Sequence, residues 1–224
     1  REMHERLLDG ARGQHRRPGE LRRSPVWLGG STLDDAVFVP PPPDEMNHAL
    51  SDLERFLHET DLPLLVQLAV AHYQFEVIHP FLDGNGRIGR LMIPLMLVLR
   101  EALPQPLLYL SDFLEQHQSE YYDHLLVTSQ KGDLMPWIAF FLRGVRQQSR
   151  DSEERTVRLV ELQHQLRNEL LDEGRPNSVV RLAEQLFAVP EEAHHDPGGG
   201  LAVGRIQHMG GQAAQEITPM EPHH

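Results

Sequence analysis

Cysteine is absent from all 224 residues. That excludes a disulfide framework and thiolate metal sites, and it fits a reducing, cytoplasmic compartment. Positive charge is also short: 21 Lys and Arg face 33 Asp and Glu, a formal net charge of −12. A chain of that sign is a poor non-specific polyanion binder. Nucleic acid is therefore not an expected partner, and any contact with phosphate must be local. Long apolar runs are missing too. The longest, LMIPLMLVL at 91–99, is too short to span a bilayer and is flanked by Arg90 and Arg100; it reads as a buried helix, and no membrane contact is expected. There is no initiator methionine either. The chain starts at Arg1, so an upstream segment is expected to be missing, and the question of a removed leader stays open. No internal repeat is visible.

What is present is 40% hydrophobic and 24% charged, the profile of a globular protein with one cored domain and a smaller appendage. Residues 3–9 read as the end of a helix, and 10–23 as a basic loop. Val26–Leu28 and Val37–Val39 are short β-type runs separated by Gly29, Gly30 and a polar turn, which predicts a small hairpin; the four prolines from Pro40 end it. Helical periodicity then covers 44–60, with Asp44 as N-cap. A mostly apolar helix over 62–78 should stop near His79, because Pro80 disfavours helical backbone before it. Further helices are expected from about Arg87 to Ala102, as one or two over 109–130, as one or two over 133–171, and over 178–190. The remainder, 191–224, has no period and is rich in Gly, His and Pro, which predicts low order.

The chemistry is concentrated in HPFLDGNGRIGR, residues 79–90. Three familiar glycine-loop readings fail. Gly84, Gly86 and Gly89 have dinucleotide-fingerprint spacing but follow a helix, not a strand. A P-loop would need lysine and a hydroxyl where Arg90 and Leu91 stand. A calcium loop would place Arg87 among its ligands and Pro94 where a glutamate belongs. A coherent set remains. Gly84 and Gly86 allow backbone N–H groups to converge as an anion nest, and the loop opens into a helix N-terminus. Arg87 and Arg90 share a helix face and can reach phosphate oxygens. Asp83 offers a hard oxygen for Mg²⁺. His79 is the side chain suited to removing a proton near neutral pH. A histidine before proline is ordinarily a loop residue and Gly-Asn-Gly a turn; the conjunction with an acid and two arginines is what points to phosphoryl or nucleotidyl transfer to a hydroxyl.

The stretch matches the signature HPFxDGNGRxxR at every defined position, and the chain resembles the Fic domain family over about residues 1–171. PVWLGGS…VFVPPPP resembles the flap hairpin and proline run that precede the core in many bacterial members; SEYYDHLL and GDLMPWIAFFL resemble helices that follow it. The resemblance implies an all-α Fic-fold helical bundle with a small β-hairpin flap, then a linker and short helix at 172–190 similar to the first helix of a winged-helix module, then a disordered tail. It implies transfer of AMP from ATP, with Mg²⁺, to a Tyr, Thr or Ser hydroxyl of a target protein, itself included. It makes His79 the general base and Asp83 the Mg²⁺ ligand. Gly84, Asn85 and Gly86 become the anion hole, Arg87 and Arg90 hold the β/γ phosphates, and Phe81 is a structural anchor. Tyr121 and Tyr122 stand where members place a tyrosine pair near the base, a reading balanced against ordinary helix packing. The flap edge, Leu28, Gly29, Gly30 and Ser31, could dock an extended target segment through main-chain hydrogen bonds. Several members dimerise, which adds a homodimer to the implied partners.

The inhibitory pattern [ST]xxxE[GN] of many members is not matched. Ser111…Glu115 and Ser149…Glu153 have the spacing, but Gln116 and Glu154 follow. In relatives of this layout that helix lies upstream of the flap, so the expectation is a chain lacking it and uninhibited. The core motif leaves open transfer of other phosphate-containing groups, or AMP removal. A DNA-reading sensor is the remaining alternative, and the acidic charge and absent recognition helix speak against it.

Overall fold

The computed structural model describes residues 1–8, 17–59 and 61–187. The expected tail at 191–224, half of the basic loop and the last residues of the 178–190 helix lie outside them. Eight helices form among the described residues: α1 (Glu2–Leu8), α2 (Pro43–His58), α3 (Leu64–Ile78), α4 (Asn85–Leu99), α5 (Leu110–Gln116), α6 (Gln118–Lys131), α7 (Met135–Asp172) and α8 (Asn177–Gln185). None is long and apolar enough to cross a membrane. The helical class expected from periodicity is what forms.

The chain divides into two compact units, residues 1–149 and, in its described part, 150–187. In the first, α3 is the central helix. One side of it, through Leu68, Ala69 and Tyr73, joins Ile93, Leu97, Phe113, Trp137 and Phe141 in the larger core. The other side, through Ala71, Phe75 and Ile78, joins Met46, Leu53, Phe81 and Ile88 in a smaller one. A helix buried on both sides must be apolar all round, and the sequence of α3 is. One of its polar exceptions, Gln67, is spent on backbone. Gln67 Nε2 donates to the Phe56 and Glu59 carbonyls at 2.6 and 2.8 Å, satisfying the end of α2. Trp137 Nε1 donates to the Ala69 carbonyl at 2.8 Å. In the second unit, α7 ends in a Schellman motif. Gly174 N–H reaches Leu171 O and Arg175 N–H reaches Leu170 O, at 3.0 and 2.9 Å, and Pro176 follows.

Three expectations need correction. The hairpin is not formed: among the described residues no strand pairs, and the two β-type runs meet in one antiparallel bridge, Leu28–Phe38. Val26 and Trp27 are turned into the interior, and Pro25 and Pro40 bracket the segment, so neither run can extend a ladder. Asp44 is not the N-cap of α2. The helix starts at Pro43 with Pro42 before it, since proline suits the first helical position and acids suit the first turn. The helix after the glycine loop begins at Asn85 rather than Arg87.

Candidate active site

His79 is the hinge of the site. Pro80 stops α3 after Ile78, and His79 takes a left-handed conformation, φ 49° and ψ 62°, a region that costs a non-glycine residue about 1 kcal/mol or more. The residue is buried, 7% exposed, and its Nδ1 lies 3.4 Å from the Glu76 carbonyl. A carbonyl can only accept, so Nδ1 carries the proton and Nε2 keeps its lone pair. Nε2 is buried and has no hydrogen-bond partner. Burial pushes the imidazole down to about 4, reinforced by the charge of Arg22 and opposed by Asp83. The ring is therefore neutral across the physiological range.

The loop after it is held from several directions. Phe81 is buried and stacks on His4 of α1, with ring centroids 3.7 Å apart and planes 8° from parallel. Gly19 N–H donates to His4 Nδ1 at 2.8 Å, which leaves Nε2 to donate to the Asp83 carbonyl at 2.9 Å. Asn85, 2% exposed, closes the loop on itself. Its Oδ1 accepts the Phe81 N–H at 2.9 Å and its Nδ2 donates to the Phe81 carbonyl at 2.8 Å. The Asn85 side chain is thus fully committed, and what it can offer a ligand is its backbone N–H.

Gly84 is left-handed, φ 82°, as the nest requires. Gly86 is not: it lies in the first turn of α4, where an added Cβ would come 3.0 Å from Arg90 Nη1. Its smallness makes room for the guanidinium rather than for an unusual backbone. Gly89 has a different purpose, since a Cβ there would overlap Glu76 Oε1 and come 3.2 Å from both His72 and Phe75. It is the contact point of α3 and α4.

Asp83 and Arg87 lie at the rim, both about half exposed, with Oδ1 3.3 Å from Nη2. Asp83 Oδ1 also accepts the Gly84 N–H at 2.6 Å. An exposed pair of this kind contributes little to stability and can be exchanged for ligand contacts. Among the described residues no cluster of three or more His, Cys, Asp or Glu could cage a metal. One accessible carboxylate beside a helix N-terminus is the kind of donor set that would hold Mg²⁺ shared with the phosphates of a ligand.

Behind Arg90 lies a polar cluster that sequence reading missed. His72 Nε2 sits 3.1 Å from the Tyr121 hydroxyl and 4.0 Å from Glu76 Oε1. Burial raises Glu76 to about 7, against the pull of the Arg90 charge and a Tyr121 hydrogen bond. Tyr121 is committed to this cluster and to the larger core. Tyr122 packs on it at 5.2 Å and stays 40% exposed, so it is the member of the pair that a ligand could touch. In the flap, Gly30 is left-handed at φ 78°, and a Cβ there would overlap the Asp35 backbone. The Asp35 carboxylate accepts the Ser31 and Thr32 N–H groups at 3.0 and 2.5 Å, and those bonds hold it down at about 2. Leu28 and Gly29 are half-buried; Gly30 and Ser31 are exposed.

Residues 1–97 match the family model described as the Fic/DOC family. Among curated proteins, the chain is 34% identical over 145 residues to Protein adenylyltransferase Fic of Aedes aegypti, covering 62% of this chain and 25% of that one. The Drosophila melanogaster protein of the same name matches at the same identity, with 26% of its length covered. The chain thus spans about a quarter of these relatives. A solved Fic family protein from Desulfovibrio desulfuricans G20 superposes with a TM-score of 0.60 at 31% identity, over 69% of this chain and 46% of that one.

Proposed function

We propose that this chain, whose residues 1–97 match the Fic/DOC family model, transfers AMP from ATP to a hydroxyl side chain of a target protein and releases pyrophosphate. The observation that carries this reading is His79 Nε2, a buried ring nitrogen with a free lone pair and no partner in the protein, directly before an anion-binding loop.

The target hydroxyl oxygen attacks the α-phosphorus of ATP. The new O–P bond forms as the bond to the bridging oxygen of pyrophosphate breaks, and the hydroxyl proton passes to His79 Nε2. Nδ1–H, anchored on Glu76 O, keeps the lone pair directed outward. Burial keeps the ring unprotonated, and incoming phosphate charge raises its basicity as the reaction proceeds. The backbone N–H groups of Gly84, Asn85 and Gly86, at the α4 N-terminus, meet phosphate oxygens. Arg87, released from Asp83, and Arg90 hold the β/γ end. Asp83 would hold Mg²⁺, which supplies charge neutralisation to the phosphates. Tyr122 borders the nucleotide base, and Leu28, Gly29, Gly30 and Ser31 dock an extended target segment. Self-modification, homodimerisation and a cytoplasmic setting belong to the same proposal.

The test is incubation with α-labelled and γ-labelled ATP in parallel, with Mg²⁺ and candidate target proteins. Label from the α position alone, lost in His79→Ala, supports AMP transfer. Label from the γ position means phosphoryl transfer and overturns this reading. ATP binding with no label on any protein, this chain included, counts heavily against it.

A further inference from the structure

Arg22 is the least expected residue near the site. It lies in the segment leading to the flap, far from the motif in sequence, yet it is 2% exposed. All the acceptors of its side chain are main-chain carbonyls. Nε donates to His79 O at 2.8 Å, Nη2 to Pro41 O at 2.5 Å and Ile78 O at 3.3 Å, and Nη1 to Ser24 O at 3.2 Å. Its own backbone N–H donates to Pro80 O at 2.9 Å. The carbonyls of 78, 79 and 80 thus all receive donors from this one residue. These are carbonyls at the end of α3, where helical donors run out and Pro80 cannot supply one.

Two further facts fix the meaning of the arrangement. First, His79 sits in a left-handed conformation, and a strained backbone persists only where its surroundings over-determine it. Second, Ser24 and Pro41 bracket the flap. The same guanidinium therefore joins the two ends of the flap to the backbone that carries the imidazole. A buried cation whose partners are all neutral is an expensive way to obtain stability alone. Lysine cannot reproduce it, because a single ammonium lacks the planar fork that reaches several divergent carbonyls.

We propose that Arg22 is the positioning residue of this site, setting the backbone of His79 and coupling both ends of the flap to it, so that target docking and the base move as one unit. The inference rests on His79 acting as the base in AMP transfer.

Arg22→Ala would leave several buried carbonyls without donors and risks unfolding, so the test uses Arg22→Lys. The control is Leu110→Ala, a core truncation that lowers melting temperature without touching the loop. Three readouts are compared in the whole chain: ATP affinity, kcat for AMP transfer, and the ¹⁵N signals of the His79 imidazole. Arg22→Lys should keep ATP affinity within about two-fold, lose about 10²-fold in kcat, the order expected for a reacting group misplaced by about 1 Å, and shift the His79 signals. Leu110→Ala should move neither kcat nor those signals. Wild-type kcat and unshifted His79 signals in Arg22→Lys would overturn the proposal. So would an equal kcat loss in the control. If the wild-type chain itself transfers no AMP, the functional reading falls, and the imidazole signals then decide Arg22 alone: shifted in Arg22→Lys and unshifted in the control upholds its positioning role, unshifted in both overturns it.

Discussion

Asn85→Asp is the most discriminating substitution that the loop offers. It changes one nitrogen to one oxygen and leaves volume almost untouched. In the native loop Asn85 Oδ1 accepts from Phe81 N–H at 2.9 Å and Nδ2 donates to Phe81 O at 2.8 Å, with the residue 2% exposed. An aspartate keeps the first bond. Ionised, it turns a second oxygen toward a carbonyl that now has no donor. Losing that bond and stranding a buried acceptor costs about 1–3 kcal/mol, and burying the new charge adds to it. For a protein of this size each kcal/mol lowers the melting temperature by about 2–4 °C, so a fall of at least a few degrees is expected at pH 7. The cost should depend on pH. Protonated, the same side chain regains an O–H donor for Phe81 O. Its folded-state pKa is therefore raised above the unfolded value, so the stability it contributes is complete below the unfolded pKa and is lost as pH rises through the folded one. The assay is thermal or urea unfolding of both proteins from pH 4 to 8. The difference between them removes every group they share. It should shrink toward acid pH and reach a plateau at neutral pH. A difference that is zero throughout, or that grows toward acid pH, would refute the account of how the loop is closed.

Other predictions follow from the same geometry. His79→Ala should abolish labelling from α-labelled ATP while ATP affinity stays within a few-fold, measured by calorimetry. Because the free imidazole sits at about 4, the acid limb of kcat/KM should not begin near 6.5; about 90% of the base is still unprotonated at pH 5. Gly30→Ala places a Cβ against the Asp35 backbone at positive φ, so it should reduce labelling of the target with little change in ATP binding. The pH dependence of stability should carry opposed contributions. His72 and His79, both lowered to about 4 by burial, lose stability as pH falls from 6.5 through 4, whereas Glu76, raised to about 7, loses it as pH rises from 4.5 through 7. Between 4.5 and 6.5 the net is roughly one proton, on the order of 1 kcal/mol per pH unit in favour of higher pH. Glu76→Gln should steepen that slope, and an unchanged slope would contradict the assignment.

The parts of the site that could be read in the sequence are those that are contiguous. Helical periodicity marked the elements, and residues 79–90 brought the histidine, acid, glycines and arginines together without any need of the fold. The supports of the loop could not be read this way. His4 and Arg22 reach Asp83 and His79 across 79 and 57 positions, and nothing in a basic, glycine-containing stretch separates a buried guanidinium from solvated ones. Glu76 and His72 stand one turn apart on α3, two polar residues in a mostly apolar helix. Their meaning appears only when Gly89 of α4 and Tyr121 of α6 close on them. Gly86 was read as a backbone device because glycine usually is one; it is instead a matter of room for Arg90. The flap misled for a related reason. Two β-type runs and a glycine turn were correctly placed side by side, but the prolines and the burial of Val26 and Trp27 reduce the pairing to one bridge.

The left-handed backbone at His79 has a consequence for how this chain should drift. Both the φ of 49° and the unpaired ring nitrogen are liabilities for a folded protein, and glycine or asparagine would accept that backbone more readily than histidine does. A library of variants selected only for heat resistance should therefore replace His79 early, whereas one selected for labelling should keep it at any cost in melting temperature. Sequencing the two populations side by side would map, position by position, where this molecule trades durability for chemistry.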